Sequence, residues 1–134
     1  MRRAAIVTVL LLAVVFAGCA RRKSKAPAAA AAAPPEPGYE LRMGKEVWFH
    51  YCQTCHGEAG AGDGFNSLNL DPKPRDLSDP VFQKKKTDAD LADAIRRGGA
   101  GVGLSPLMPP WGKTLSPREV DQVIAYVRTF RKSS

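Results

Sequence analysis

Cysteine, histidine and methionine, the side chains that bind soft metals and carry redox chemistry, are scarce in this chain: three, two and three among 134 residues. Cysteines at positions 19, 52 and 55 offer no disulfide framework. A structural zinc site takes four ligands, and Cys52, Cys55, His56 and His50 could supply them only with His56 cramped against Cys55. No apolar–polar alternation lies near Cys52, so the βαβ setting of a thioredoxin-like site is missing. Internal repeats are absent. The basic surplus is also missing where a folded domain could use it. From Tyr39 to Ser134 there are 14 Lys and Arg against 12 Asp and Glu, a balance of +2, although the whole chain carries +7. The excess sits in Arg2, Arg3, Arg21, Arg22, Lys23 and Lys25, so a nucleic-acid-binding reading of the high pI fails.

What is present is Cys52-Gln53-Thr54-Cys55-His56, the attachment signature of c-type haem. Two thiols three positions apart can add to the two vinyl groups on one edge of a haem. The histidine directly after the second thiol is then held beneath the iron. Covalent links retain the group even where the protein has little surface in which to bury it. The expectation is one haem c held by thioethers of Cys52 and Cys55, with His56 as an iron ligand.

Met1-Arg2-Arg3 and the uncharged run Ala4 to Ala17 have the charge and length of a secretory signal. The run ends in Phe16-Ala17-Gly18-Cys19, which resembles the bacterial lipobox with Phe16 where leucine is usual. Residues 1–18 are therefore expected to be a signal peptide, and Cys19 the lipidated first residue of the mature chain. The alternative is an uncleaved anchor, since Ala4 to Ala20 reaches the lower limit of about 17 residues for a bilayer span. Either arrangement delivers the remainder to the periplasmic side of a bacterial membrane. Ala20 lacks the aspartate that retains some lipoproteins at the inner membrane, a weak pointer to the outer one. Residues 19–38 form a tether rich in Ala, Pro, Lys and Arg. Its alanine run, Ala28 to Ala33, is too short to hold a helix alone, and fully extended its 19 residues from Ala20 would reach about 60 Å. Its basic residues suit anionic lipid head groups.

Residues 39–134 read as one all-α domain. The first helix is expected from Glu40 to Tyr51. The second runs from Asp88 to Arg97, with Thr87 as N-cap, Asp90 at N3, Gly98-Gly99 as the stop, and Leu91, Ala94 and Ile95 buried. The third opens at Ser116-Pro117-Arg118-Glu119, a capping box with proline at its first position. Val120, Val123, Ile124 and Val127 give it an apolar face, with Tyr126 and Phe130 alongside. A short helical turn is expected around Pro80 to Lys84. Between the second and third helices Met108 stands among prolines and glycines, with no periodic apolar pattern around it. A thioether suits the sixth position of haem iron. Met1 leaves with the leader and Met43 lies on the first helix. His50 reads as a helix-surface residue and Lys84-Lys85-Lys86 as a solvated run. Arg96-Arg97 would meet a haem propionate or the helix C-terminus.

This order of helix, CxxCH, loop, helix, Met-Pro loop and amphipathic C-terminal helix resembles the small class I cytochrome c family, over about Tyr39 to Arg131. Gly44 and Trp48 match the family's glycine and aromatic ahead of the first cysteine, and Tyr126 matches the aromatic that answers them. Met108-Pro109 and Leu115-Ser116 match its Met-Pro motif and the start of its last helix. Gly57, Gly60, Gly62, Asp63 and Gly64 after the histidine look like bacterial members. Phe65 departs from the pattern, standing where many members have proline. Pro72, Pro74 or another residue would then supply the carbonyl that meets the proximal histidine. The resemblance implies a small cytochrome c fold, three main helices and long loops wrapped around one covalent haem. It also implies His56 as proximal ligand, Met108 as distal ligand, and an electron carrier rather than an enzyme. Its partners would be redox donors and acceptors of a respiratory chain, meeting the protein near Gln53-Thr54 and Gly101 to Pro110. Two alternatives stand beside it: a haem enzyme or gas sensor with an open or labile sixth site, and a fixed electron-transfer subunit of a respiratory complex.

Overall fold

The computed structural model describes residue 36 and residues 38–131. The leader, Cys19 and most of the tether lie outside them. The described residues are helical, without strands, as the all-α expectation requires.

The chain enters α1 (Tyr39–Val47) through Gly38 in a left-handed conformation, with Glu40 in the first turn where the helix dipole favours it. The expectation of one regular helix to Tyr51 needs correction. After Val47 the chain widens into a π-helical turn, Trp48–Cys52, in which the Gln53 N–H reaches back five residues to the Trp48 carbonyl. α2 (Gln53–His56) follows. The extra residue rotates everything downstream by about 100° relative to a regular helix. The haem-attachment motif thus leaves the helix on a different face from the one its spacing suggests. No sequence signal marks the turn.

A 3₁₀ turn at Phe65–Asn69 was not expected from the sequence. α3 (Pro80–Lys85) begins at Pro80 with Asp79 accepting from the Val81 N–H. α4 (Asp88–Gly101) has the expected N-cap Thr87, which forms a capping box with Asp90 at N3, and its helical geometry breaks at Gly98 (φ 69°, ψ 173°). Its buried apolar side chains are Leu91 and Ala92, whereas Ile95 only flanks the core. Its buried face is therefore turned from the expected Leu91–Ala94–Ile95 stripe. α5 (Pro117–Arg128) has the expected Ser116–Glu119 capping box and buries Val120, Val123, Ile124 and Val127.

The core lies where α1 crosses α5. A Cβ on Gly44 would collide with the Gln122 carbonyl and come within 3.1 Å of Tyr126 Cβ. Only hydrogen permits this approach. One turn on, Trp48 is 2% exposed, edge-on to Phe130 at 4.8 Å and tilted against Tyr126 at 6.4 Å between ring centroids. Glu40 ties the two helix starts together, accepting from Arg118 at 2.6 Å and from Gln122 Nε2 at 2.7 Å. At the other end of α5, Arg128 donates to Asp88, to the Gln83 backbone and side chain, and to the Lys86 carbonyl. Its planar fork holds the α3–α4 turn in a way a lysine could not reproduce.

Gly44→Ala is expected to destabilise the haem-loaded protein by about 1–3 kcal/mol, the usual cost of overpacking a tight contact. Thermal unfolding followed by circular dichroism checks this; an unchanged midpoint would show that the helices are free to separate.

Candidate haem site

The π-helical turn and α2 carry both thiols and the imidazole. Cys52 and Cys55 are half-buried and unpaired. Burial, reinforced by the neighbouring Cys55, pushes the Cys52 thiol up to about 12. A thiol held neutral suits neither a zinc thiolate nor a dithiol redox centre, both of which work through the anion. Among the described residues no group of three or more His, Cys, Asp and Glu could hold a metal ion. Both observations weigh against the competing readings of CxxC.

His56 is held below its ordinary value of 6.5 by burial, with the Arg75 backbone pulling weakly the other way. The neutral imidazole is the form that binds iron. Its ring lies 5.9 Å from Trp48, tilted by 48°. The Arg75 backbone lies near, yet Nδ1 has no aligned hydrogen-bond partner, and neither has Trp48 Nε1. The segment near the histidine is thus Pro74–Arg75, within the expectation of Pro72, Pro74 or another residue, with Arg75 as the other residue. Any residue has a carbonyl, so sequence holds no signal for Arg75. The segment is drawn in by the Gly62 N–H donating to the His56 carbonyl at 2.9 Å and the Leu77 N–H to Gly60 at 2.7 Å. A Cβ on Gly62 would strike the Pro74 carbonyl.

Met108 is half-buried on a loop fastened to the end of α4. The Gly99 N–H donates to the Met108 carbonyl at 3.0 Å, Trp111 to Ile95 at 2.9 Å and Gly112 to Arg96 at 3.1 Å. A Cβ on Gly98 would lie 2.7 Å from Pro110 N and 2.8 Å from the Met108 oxygen. Gly98-Gly99 is therefore the seat of the Met108 loop as well as the expected helix stop. Trp111 turns onto Tyr51, centroids 5.2 Å apart. That contact joins the Met108 loop to the residue preceding Cys52. Leu104 and Leu107, on the same loop, are 64% and 48% exposed, apolar surface that a flat macrocycle or a partner can cover. The neutral Cys52 thiol, the half-buried Cys55 three positions on, a half-buried imidazole and a thioether on a fastened loop together fit the donor set of a covalently held haem.

Other residues behave more plainly. His50 is exposed and rests edge-on against Tyr51 at 4.5 Å. Arg96 pairs with Asp121 at 4.0 Å and Arg97 with Asp93 at 3.4 Å.

A family model described as cytochrome c oxidase, cbb3-type, subunit III matches residues 40–127. The cbb3-type cytochrome c oxidase subunit FixP of Azorhizobium caulinodans is 32% identical over 89 residues, 66% of this chain and 27% of that protein. FixP of Bradyrhizobium diazoefficiens is 28% identical over 93 residues, 69% of this chain and 28% of that protein. The match thus covers about a quarter of the length of these curated relatives. Among solved structures, the KustC0563 c-type cytochrome superposes with a TM-score of 0.55 at 28% identity, covering 66% of this chain and 98% of that one. A chain of the Kuenenia stuttgartiensis reducing HAO-like protein complex Kustc0457/Kustc0458 gives 0.55 at 29% identity, covering 66% of this chain and 41% of that one.

Gly98→Ala adds a collision to a left-handed backbone that costs about 1 kcal/mol or more for a residue with a Cβ. The Gly99 amide is then expected to lose about tenfold or more of its protection from hydrogen exchange; unaltered protection would mean the loop does not depend on Gly98. Acidity has its own signature. Because burial depresses the His56 pKa, its contribution to stability is full above the ordinary value and is lost as pH falls through the folded one. A Cys52→Ala/Cys55→Ala chain should melt lower at about pH 5 than at pH 7, and adding His56→Gln should flatten the difference. An equal slope with and without His56 would contradict this.

Proposed function

Because this chain belongs to the cbb3-type cytochrome c oxidase subunit III family, we infer that it carries single electrons on one haem c between redox partners of a respiratory chain. As a c-type cytochrome domain it binds haem c covalently. The observation that supports the rest of the reading is the Trp111–Tyr51 contact, which draws the loop of Met108 to the haem-attachment turn. In this reading Cys52 and Cys55 form the thioethers, His56 is the proximal ligand and Met108 the distal one. When bound, the haem supplies a one-electron couple.

The chain's own residues do the holding. Trp48 packs beside the imidazole, burial keeps the ring neutral, and the hydrogen bonds from Gly99, Trp111 and Gly112 keep the Met108 loop from drifting. Were His56 and Met108 both to hold the iron from backbone segments fastened in this way, electron gain and loss would need little rearrangement. A soft thioether favours the reduced form and raises the potential. The fastening of Met108 disfavours the enzyme and gas-sensor readings, which need a free sixth position. Residues 1–18 would direct export, Cys19 would take the lipid, and residues 20–38 would tether the domain at the periplasmic side of the membrane.

A second reading, the fixed electron-transfer subunit of a respiratory complex, is favoured by the family match and by relatives named as subunits of a cbb3-type oxidase. It differs in what the domain is attached to, and leaves the chemistry at the iron unchanged.

The test is an optical spectrum, oxidised and reduced, of the protein made with a haem-attachment system. A low-spin c-type spectrum is expected, with a sulfur-to-iron charge-transfer band that Met108→Ala removes. A high-spin wild-type spectrum that shifts with carbon monoxide would overturn the carrier reading. Absence of covalent haem would overturn the whole assignment.

A further inference from the structure

Pro80, Val81, Lys84 and Lys85 of α3, with Arg131 just beyond α5, line an open groove of about 410 Å³. Among the described residues its cations form no ion pair with a carboxylate. The ion pairs among the described residues are Arg75–Asp79, Arg96–Asp121, Arg97–Asp93, Arg118–Glu40 and Arg128–Asp88, and none uses Lys84, Lys85 or Arg131. The nearby carboxylates in sequence are already engaged. Asp76 accepts from Ser78, Asp79 caps α3 and meets Arg75, and Asp88 meets Arg128. Among these cations Val81 stands 71% exposed. The exposed Lys86 extends the same edge.

The charge of the domain is therefore segregated. Residues 39–134 balance at +2, yet four cations gather at this edge, leaving the remainder net negative. A nearly neutral body with one positive pole gains little from distant attraction and much from being turned toward an anionic surface.

We propose that this groove rests on the membrane, with Lys84, Lys85 and Arg131 meeting the phosphates of anionic phospholipid head groups and Val81 entering the interface. This rests on the reading above that the chain is tethered at a membrane. Lipid suits the groove better than an acidic protein does. The site is open, and apart from its cations it is lined by no polar side chain that would select a shape. An apolar residue ringed by long cationic side chains is also the chemistry of interfacial contact. The basic tether residues Arg21, Arg22, Lys23 and Lys25 carry the same sign toward the same surface. The groove and the tether hold the domain at separate points. Glu40, at the start of α1, pairs with Arg118 at the start of α5, while Arg131 follows the other end of that helix, whose twelve residues span about 18 Å. Contact of the groove's cations with the surface, added to the tether, limits the domain to poses with this edge toward the membrane instead of letting it swing freely.

The test uses the full haem-loaded chain on vesicles of phosphatidylcholine alone, or with about a third phosphatidylglycerol. Lysines are acylated by a water-soluble reagent and read by mass spectrometry. Flotation with both kinds of vesicle reports the tether on its own, so failure to float refutes the tether and not the groove. For floating protein, anionic lipid is expected to slow acylation of Lys84 and Lys85 about fivefold or more, the effect of one basic residue brought to an anionic surface. High salt should abolish the protection, and Lys45 and Lys113, outside the groove, should react alike on both vesicles. Equal reactivity of Lys84 and Lys85 on both vesicles would overturn the proposal. So would protection that arises only when an acidic soluble protein is added.

Discussion

The near-contact of two backbones at Gly44 and Gln122 is the constraint on which the rest depends. Helices in globular proteins ordinarily pack 8–10 Å apart, depending on the side chains at the crossing. Here one side has none, and the Gln122 carbonyl fills the place a Cβ would take. That closeness lets Trp48 lie under Tyr126 and Phe130 at 2% exposure. Trp48 in turn is the wall against which His56 sits. A domain of this size has too little core to be generous with packing, so one misplaced methyl at the crossing reaches His56 in two steps.

The other half of the site is built by a different device. Nothing in α1 positions Met108; the end of α4 does, through Gly98 and Gly99 and through carbonyls that the broken helix leaves free for the loop to use. The two halves meet at Tyr51 and Trp111. The proposed ligands thus come from two segments well separated along the chain, each fastened by glycine-dependent backbone packing. Such a frame suits a centre that must change charge without changing shape.

Much of this was legible in the sequence. Ser116 with Glu119 and Thr87 with Asp90 announced two helix starts, because capping is a local interaction whose residues are adjacent. The α5 stripe of Val120, Val123, Ile124 and Val127 was legible because its period matches a buried helix face. The Gly44, Trp48 and Tyr126 correspondence came from the resemblance to the cytochrome c family, and the helix crossing bears it out. The π-helical turn at Trp48–Cys52 was not legible, since it arises from the tertiary demand to bury Trp48 while releasing the motif. The contribution of Arg75 was hidden for another reason: it is made by the backbone, which is the same at every residue. The burial of Ala92 in place of Ala94 shows the same limit, because propensity and period place a stripe only to within the rotation its neighbour imposes.

The central claim is that Met108, seated by Gly98 and Gly99, binds the iron opposite His56. Proton NMR of the reduced protein carrying ¹³C-methyl methionine tests it most directly, because a methyl held against the haem face is driven far upfield by the ring current. One strongly upfield methionine methyl, missing from Met108→Leu, is the result this account predicts. Methyl resonances all at ordinary positions in the wild type would contradict it.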